Sequence, residues 1–216
     1  MRATITPVFH ETAAAVVLAG GRSRRMGTDK ASLSWGDRSL LDHVVDVLTR
    51  AVAGPVVVVG AAGIPRSVGS SVIAVTDDEP GRGPLQGIAT GLAAAHTAGA
   101  PIAFVCSVDL PLMHAAYVRA VLAGLGDAEV ALPVLHGHRQ PLAAAYATPL
   151  GARATGLLAA GARRPAELFA VSIVRELTAA DLLADEALRA ADPDLDAVRD
   201  ADTPEEYKAL LRARRP

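Results

Sequence analysis

The sequence has little cysteine and few aromatic residues. Cys106 is its one cysteine, and aromatic side chains make up 3% of the 216 positions. A lone cysteine cannot form an internal disulfide, and it cannot build a metal cluster held by several thiolates. Since hydrophobic residues still account for 51% of the chain, the core must consist mainly of alanine, valine, leucine and isoleucine.

Strong charge imbalance and long hydrophobic runs are also missing. The 21 basic and 23 acidic residues leave a formal net charge of −2, whereas general nucleic-acid binders carry a basic excess. No apolar run approaches the ~18 residues of a membrane span, and residues 1–12 lack the apolar centre of a signal peptide. We therefore expect a cytoplasmic protein with no nucleic-acid or membrane partner.

Short apolar runs alternate with amphipathic segments, which is typical of a parallel sheet covered by helices. The pattern predicts strands at 13–18, 56–59, 72–75 and 102–108, and helices at 41–48 and 85–96. In the less regular second half it predicts strands at 129–134 and 142–146 and helices that begin at Thr178 and Thr203. No linker or repeat interrupts the pattern, so a single α/β domain is expected.

A glycine- and arginine-rich segment at 18–30 directly follows the first predicted strand. Gly20 and Gly21 allow a close backbone approach to a ligand, and Arg22, Arg25 and Lys30 concentrate positive charge that suits a polyphosphate. The segment does not fit a Walker loop, which needs lysine directly after its second glycine, nor a dinucleotide fingerprint. The competing interpretation is a basic surface turn.

Carboxylates follow two later strands. Asp77 and Asp78 come before a proline- and glycine-rich loop, where they could bind a base or ribose or form an ordinary acidic turn. Asp109 follows a buried strand and is suited to Mg²⁺, which needs one or two carboxylates beside substrate phosphates. The alternative for Asp109 is a helix N-cap ahead of Pro111. Cys106 is expected in the core.

Two further polar groups have weaker signals. Asp200 and Asp202 precede the last helix, where they could join the metal if the chain returns to this sheet edge, or simply complement the helix dipole. His136, His138 and Arg139 lie in a polar segment for which a solvated turn is the default and an anion contact the alternative.

In combination these segments resemble the molybdenum cofactor guanylyltransferases. The shared features are the Leu-Ala-Gly-Gly segment through Lys30, Gly-Pro-Leu-x-Gly at 83–87, the strand that ends in Asp109-x-Pro, and the acidic residue before Thr-Pro-Glu. The likeness covers residues 13–211. The first motif alone marks a wider nucleotidyltransferase group, and the segment 83–87 favours guanylyl transfer within it.

The resemblance implies a Rossmann-like domain of the nucleotide-diphospho-sugar transferase type at 13–216, preceded by a flexible extension at 1–12. It also implies that GMP passes from GTP to molybdopterin with Mg²⁺ as cofactor, with transient contacts to other molybdenum cofactor enzymes. The same resemblance implies that the catalytic residues are Lys30, Arg25 and Asp109. It also implies that the metal is bound by Asp109 and Asp202. The residues that it implies for nucleotide and cofactor binding are Leu18, Ala19, Gly20, Gly21, Lys30, Asp77, Pro84, Leu85 and Asp109.

The chain departs from the family pattern in two places. Gly60 stands where guanylyl members can carry asparagine, and Ser107-Val108 replaces a Cys-Asp pair beside the catalytic aspartate. These changes affect base choice more than reaction type. A cytidylyltransferase or sugar-phosphate nucleotidyltransferase is therefore the alternative enzyme, and a catalytically silent nucleotide-binding partner protein is the alternative outside catalysis.

Overall fold

The computed structural model describes residues 12–20, 30–60, 72–77, 83–201 and 203–213. Its first half contains β1 (Ala14–Leu18), β2 (Ser34–Trp35), β3 (Arg38–Ser39), α1 (Leu40–Ala51), β4 (Val56–Gly60), β5 (Val72–Thr76), α2 (Pro84–Thr97) and β6 (Ile102–Ser107). Its second half contains α3 (Ala115–Ala123), β7 (Val130–Leu135), β8 (His138–Arg139), β9 (Ala143–Ala147), α4 (Leu150–Ala159), α5 (Pro165–Phe169), β10 (Val174–Leu177), α6 (Ala179–Leu183), α7 (Glu186–Ala191) and α8 (Pro204–Ala213). Single turns of 3-10 helix lie at Lys30–Ser32 and Asp196–Val198.

One large sheet organises these elements, with strand order β10-β7-β9-β6-β1-β4-β5 and β8 paired to β7. The strands β6, β1, β4 and β5 are parallel to one another, β10 is parallel to β7, and β9 is antiparallel to both of its neighbours. Because β4 and β6 lie on opposite sides of β1, the winding reverses there. Ligands of open α/β sheets bind at such a switch point, beyond the carboxyl ends of the strands.

The side chains of β1 alternate between two cores, one on each face of the sheet. Ala15 and Val17 belong to a core that also takes residues from α1, α3, α6, α7 and α8. Val16 and Leu18 belong to a second core with α2, α4 and α5. Every residue of β1 is buried, as expected for a central strand covered on both faces. The Rossmann-like fold with a mostly parallel sheet is confirmed.

The expected elements of the first half are present to within three residues at their ends, with the largest difference at the end of α1. The pattern did not indicate the two-residue strands β2, β3 and β8, nor α3, α4, α5, α7 and β10 of the second half. The α4 sequence includes two glycines, and β10 has only four residues, so both carry weak periodic signals. No helix among the described residues is both long and apolar enough to cross a bilayer. The expected extension at 1–12 lies outside the described residues, except for Thr12.

Candidate functional site

Four parallel strands end at the same edge of the sheet. They finish at Leu18, Gly60, Thr76 and Ser107. The residues that follow them include Ala19, Asp77 and Asp109, which the sequence analysis singled out. The edge is therefore where the fold collects the predicted site residues, on either side of the switch point at β1.

Lys30 and Asp109 form an ion pair at this edge. The Lys30 Nζ donates a hydrogen bond of 2.9 Å to the Asp109 Oδ2, across 79 positions of sequence. The two side chains are 14% and 21% exposed, so bulk solvent screens their attraction less than at an open surface. Lys30 begins a single turn of 3-10 helix, and Asp109 stands two residues beyond β6. The fold thus joins two of the three expected catalytic residues.

Asp109 is not a helix cap. The following helix, α3, begins at Ala115 and is capped by His114, whose ring accepts a hydrogen bond from the Tyr117 N–H. The N-cap alternative for Asp109 is therefore wrong, because the chain makes a non-helical turn first. The Asp109 carbonyl accepts a hydrogen bond of 3.1 Å from the Ala201 N–H, so the chain does return to this edge next to Asp202.

Some backbone groups at the end of β1 already form hydrogen bonds with neighbouring segments of the sheet. The Leu18 carbonyl accepts from the Val108 N–H at 3.1 Å, and the Ala19 N–H donates to the Val59 carbonyl at 2.7 Å. A ligand contact through Leu18 has to use the second lone pair of its carbonyl, and one through Ala19 has to use its carbonyl oxygen. Gly20, which follows, is exposed.

The Gly83-Pro84-Leu85 segment starts α2 and rests on the loop before α5. Gly83 has a φ of +85°, and a Cβ at this position would lie 2.7 Å from the Arg163 carbonyl oxygen. The Leu85 N–H points to the same oxygen at 3.4 Å, while the Leu85 side chain is fully buried. Only glycine fits position 83, because both the backbone conformation and the space exclude a side chain. Arg163 takes part through its backbone carbonyl, so its residue type gave no signal for this contact.

The two glycine motifs touch each other. A Cβ on Gly87 would lie 3.2 Å from both Cδ atoms of Leu18, so the first turn of α2 packs on the residue that ends β1. The two segments therefore form adjoining walls of one site. At its far side, the Asp77 N–H donates to the Gly60 carbonyl at 2.8 Å, which holds Asp77 beyond the end of β5.

Several expected site residues lie outside the described part of the chain. These are Gly21, Arg22, Arg25, Asp78 and Asp202. The described residues contain no group of three or more His, Cys, Asp or Glu side chains that could hold a metal ion. The carboxylates in the described part of this edge include those of Asp77 and Asp109, and carboxylate oxygens are hard donors of the kind that Mg²⁺ prefers.

The remaining candidate residues are explained by their place in the fold. His136 and Gly137 form the two-residue turn between β7 and β8 with positive φ at both positions, and Arg139 pairs with Glu176 at 2.6 Å. Both histidines are exposed, which agrees with a solvated turn. Cys106 is fully buried, and burial together with the Asp109 charge raises the pKa of its thiol. It belongs to the core, as expected.

Comparisons with known proteins match most of the chain. The profile of the MobA-like NTP transferase domain matches residues 15–181. A Mycobacterium tuberculosis protein described as a probable molybdenum cofactor guanylyltransferase is 42% identical over 172 residues, which cover 78% of this chain and 84% of the relative.

Two solved structures share the fold. Molybdopterin-guanine dinucleotide biosynthesis protein A from Archaeoglobus fulgidus superposes with a TM-score of 0.74 at 20% identity, over 93% of this chain and 97% of its own. A Mycobacterium tuberculosis protein, solved as a complex with manganese, superposes with a TM-score of 0.59 at 17% identity, over 94% of this chain and all of its own. These superpositions show that the architecture of the chain is shared with both structures.

Proposed function

Because the chain belongs to the MobA-like NTP transferase family, we propose that it is a guanylyltransferase that moves GMP from GTP to molybdopterin. An oxygen of the terminal phosphate of molybdopterin attacks the α-phosphorus of GTP. The bond from that phosphorus to the oxygen bridging to the β-phosphate breaks, and pyrophosphate leaves. The names of the relatives support this choice of substrates.

The observation that carries the proposal is the Lys30–Asp109 pair at the switch point. The Lys30 ammonium binds phosphate oxygens and stabilises the charge that collects on the departing pyrophosphate. Asp109 holds that ammonium at the edge of the sheet. Phosphorus transfer needs little covalent help from a protein, so orientation and charge neutralisation are sufficient roles for such a pair. Arg25, on the same glycine- and arginine-rich segment, assists Lys30.

The metal cofactor that we propose is Mg²⁺, held by Asp109 with Asp202 as a second contact. One or two carboxylates suffice, because substrate phosphates complete the magnesium shell. The Ala201 N–H bond to Asp109 brings the residue before Asp202 to the site, which supports the second contact. When bound, the metal supplies positive charge beside the phosphate oxygens.

The nucleoside is recognised by the two glycine motifs and Asp77. The carbonyls after β1 and the Gly83–Leu85 segment face the base, and Asp77 binds the ribose or base from the end of β5. Guanine presents an N1–H and an amino group beside its O6 acceptor, a pattern that backbone groups can match. Since Gly60 offers no side chain at the end of β4, CTP is the competing nucleotide that the experiment has to include.

We place this reaction in the cytoplasm, with transient contacts to other molybdenum cofactor enzymes that deliver the acceptor or receive the product. The silent-protein alternative is disfavoured because Lys30 and Asp109 meet at the edge of the sheet, together with the glycine motifs.

Pyrophosphate release tests the proposal directly. The assay compares GTP, CTP and ATP, each with and without molybdopterin and Mg²⁺, and uses Asp109→Ala as the negative control. We expect release only with GTP, molybdopterin and the divalent cation together. Equal release with CTP would reduce the assignment to a nucleotidyltransferase of open base choice, and no release with any nucleotide would favour the silent protein.

A further inference from the structure

Two strips of chain run alongside each other next to Asp109. The first is the loop 109–114 after β6, and the second is the segment 192–201 after α7. They are joined at both ends, because the Ala201 N–H bonds the Asp109 carbonyl at 3.1 Å and the His114 Nε2 lies 3.3 Å from the Asp192 Oδ2. The loop that carries Asp109 is therefore held at its two ends by a segment that lies 78 to 92 positions later.

Asp192 is the centre of this attachment. Its side chain is 10% exposed, and its two oxygens accept hydrogen bonds of 2.9 Å from the Asp196 and Ala197 N–H groups. The His114 Nδ1 accepts from the Tyr117 N–H, so the Nε2 carries the proton and donates to Asp192. A buried carboxylate with three donors is costly to disturb, because each unpaired group would lose its solvation without replacement.

The same later part of the chain also holds the Lys30 side of the site. The Tyr207 hydroxyl donates to the Ser34 carbonyl, four residues after Lys30, and its ring lies 5.8 Å from the Trp35 ring. Burial raises the pKa of that hydroxyl, so it stays a donor. Trp35 in turn packs on His43, whose Nε2 donates to the Pro111 carbonyl at 3.0 Å, within the Asp109 loop.

We infer that residues 192–201 and 203–207 form a brace that sets the geometry of the Lys30–Asp109 pair, with Asp192 and Tyr207 as positioning residues. Asp192 acts on the loop of Asp109, and Tyr207 acts on the strand that follows Lys30. The activity part of this inference rests on the proposed function, whereas the structural part does not.

The test uses Tyr207→Phe and Asp192→Asn, which remove one hydroxyl and one charge while preserving shape. The matched control is Thr148→Val, which also deletes a buried hydroxyl bonded to a carbonyl, in this case that of Ala100 at the opposite edge of the sheet. Misplaced charged groups slow turnover, so we expect each test variant to lower kcat about tenfold, with the KM for GTP within about twofold of wild type. Thr148→Val should keep the wild-type kcat.

The double variant separates positioning from general damage. Because both residues act on one pair, its loss of kcat should be clearly smaller than the product of the two single losses, whereas independent sites multiply. Hydrogen exchange gives a readout that needs no substrate. The Ala201 N–H should exchange faster in Asp192→Asn, while the Val105 N–H in the sheet keeps its wild-type rate, which a global destabilisation would not allow.

The outcomes are distinct for the two proposals. Wild-type kcat in both single variants, multiplicative losses in the double variant, or equal loss in Thr148→Val would overturn the brace. A wild-type protein that releases no pyrophosphate with any nucleotide would overturn the proposed function. The brace would then be judged by the exchange of the Ala201 N–H alone, and an unchanged rate in Asp192→Asn would overturn it.

Discussion

Gly91 of α2 lies directly against Val16 of β1. A Cβ at position 91 would come 2.3 Å from the Val16 Cγ1, closer than real side-chain atoms approach. Both residues lie in the core between the sheet and α2, which is too closely packed to accommodate an added side chain without shifts of neighbouring atoms. This contact sets how near α2, which starts at the candidate site, comes to the central strand.

Gly91→Ala should therefore destabilise the protein by about 1–3 kcal/mol, because overpacking outweighs the roughly 1 kcal/mol that alanine gains in a helix. Gly156→Ala in α4 is the control, since no atom lies within 4 Å of its added Cβ. The control should raise stability by about 1 kcal/mol. Urea unfolding measures both, and shifts of the same sign would contradict the close contact.

The second prediction concerns Gly83. Alanine there would adopt a strained positive φ and collide with the Arg163 carbonyl, which displaces the start of α2 at the nucleotide side of the site. We expect the KM for GTP to rise about tenfold or more, since that wall of the site moves. Gly99→Ala at the other end of α2 has a similar φ of +84° but no neighbour within 4 Å. It should lose stability only, so an equal rise in KM would argue for strain rather than displacement.

Lys30 provides the third prediction. Lys30→Ala should raise the free-energy barrier of the reaction by about 3 kcal/mol, because a positive charge next to the leaving phosphates is lost. This increase corresponds to a roughly hundredfold lower kcat. Lys208, the other lysine of the sequence, is exposed on α8 and gives the matched control Lys208→Ala. Steady-state kinetics of the two variants provide the measurement. If the two variants keep similar activity, Lys30 serves only the fold.

Base choice is the fourth prediction. A site that satisfies buried donors and acceptors leaves polar groups unpaired with the wrong base, at about 1–3 kcal/mol for each group. We expect GTP to bind at least about tenfold more tightly than CTP or ATP in the presence of Mg²⁺. Calorimetry with the three nucleotides measures this directly. A preference for CTP would assign the protein to the cytidylyl branch instead.

The fifth prediction concerns acid stability through Glu129. Its Oε2 accepts hydrogen bonds of 2.9 Å from the Arg153 Nη1 and from the Ile173 N–H. These bonds lower the pKa of Glu129 from 4.5, so its stabilising effect is complete above that pH and is lost as the pH falls through the folded-state pKa.

Glu129→Gln should therefore cost about 1 kcal/mol at pH 7, a modest value because the pair is partly exposed, and the difference from wild type should shrink below pH 4.5. Denaturant unfolding across this pH range provides the measurement. Glu205→Gln at an exposed position of α8 controls for net charge. A difference from wild type that stays constant with pH would rule out titration of Glu129 as the cause.

The four parallel strands of the first half could be predicted because each is a short apolar run bounded by glycine, proline or charge. Asp77 and Asp109 each follow one of these strands, and they lie at one edge because parallel strands end together. The direct contact between Lys30 and Asp109 could not be predicted, because it depends on how the intervening segment returns the chain to the sheet.

Other contacts of the site cannot be predicted from any pattern in the sequence. The seating of Gly83 on the Arg163 carbonyl and the bond from Ala201 to Asp109 are backbone contacts between distant segments, and backbone groups are the same at every position. The local sequence is compatible with Asp109 as a helix N-cap, since a proline two residues later often lies at the start of a helix. The chain instead delays α3 until His114, where a ring nitrogen supplies the cap.

The position of β1 in the middle of the sheet has a consequence for the order of folding. This early strand pairs with β4 and with β6, so its second set of partners is synthesised some 90 residues later. The contacts of Asp109 with Ala201, and of Ser34 with Tyr207, wait longer still. Contacts so distant in sequence form slowly, because a long loop must close before they contribute any stability. The contacts that hold the two sides of the candidate site are therefore the last of these to become possible during synthesis, after every strand of the described sheet has been made.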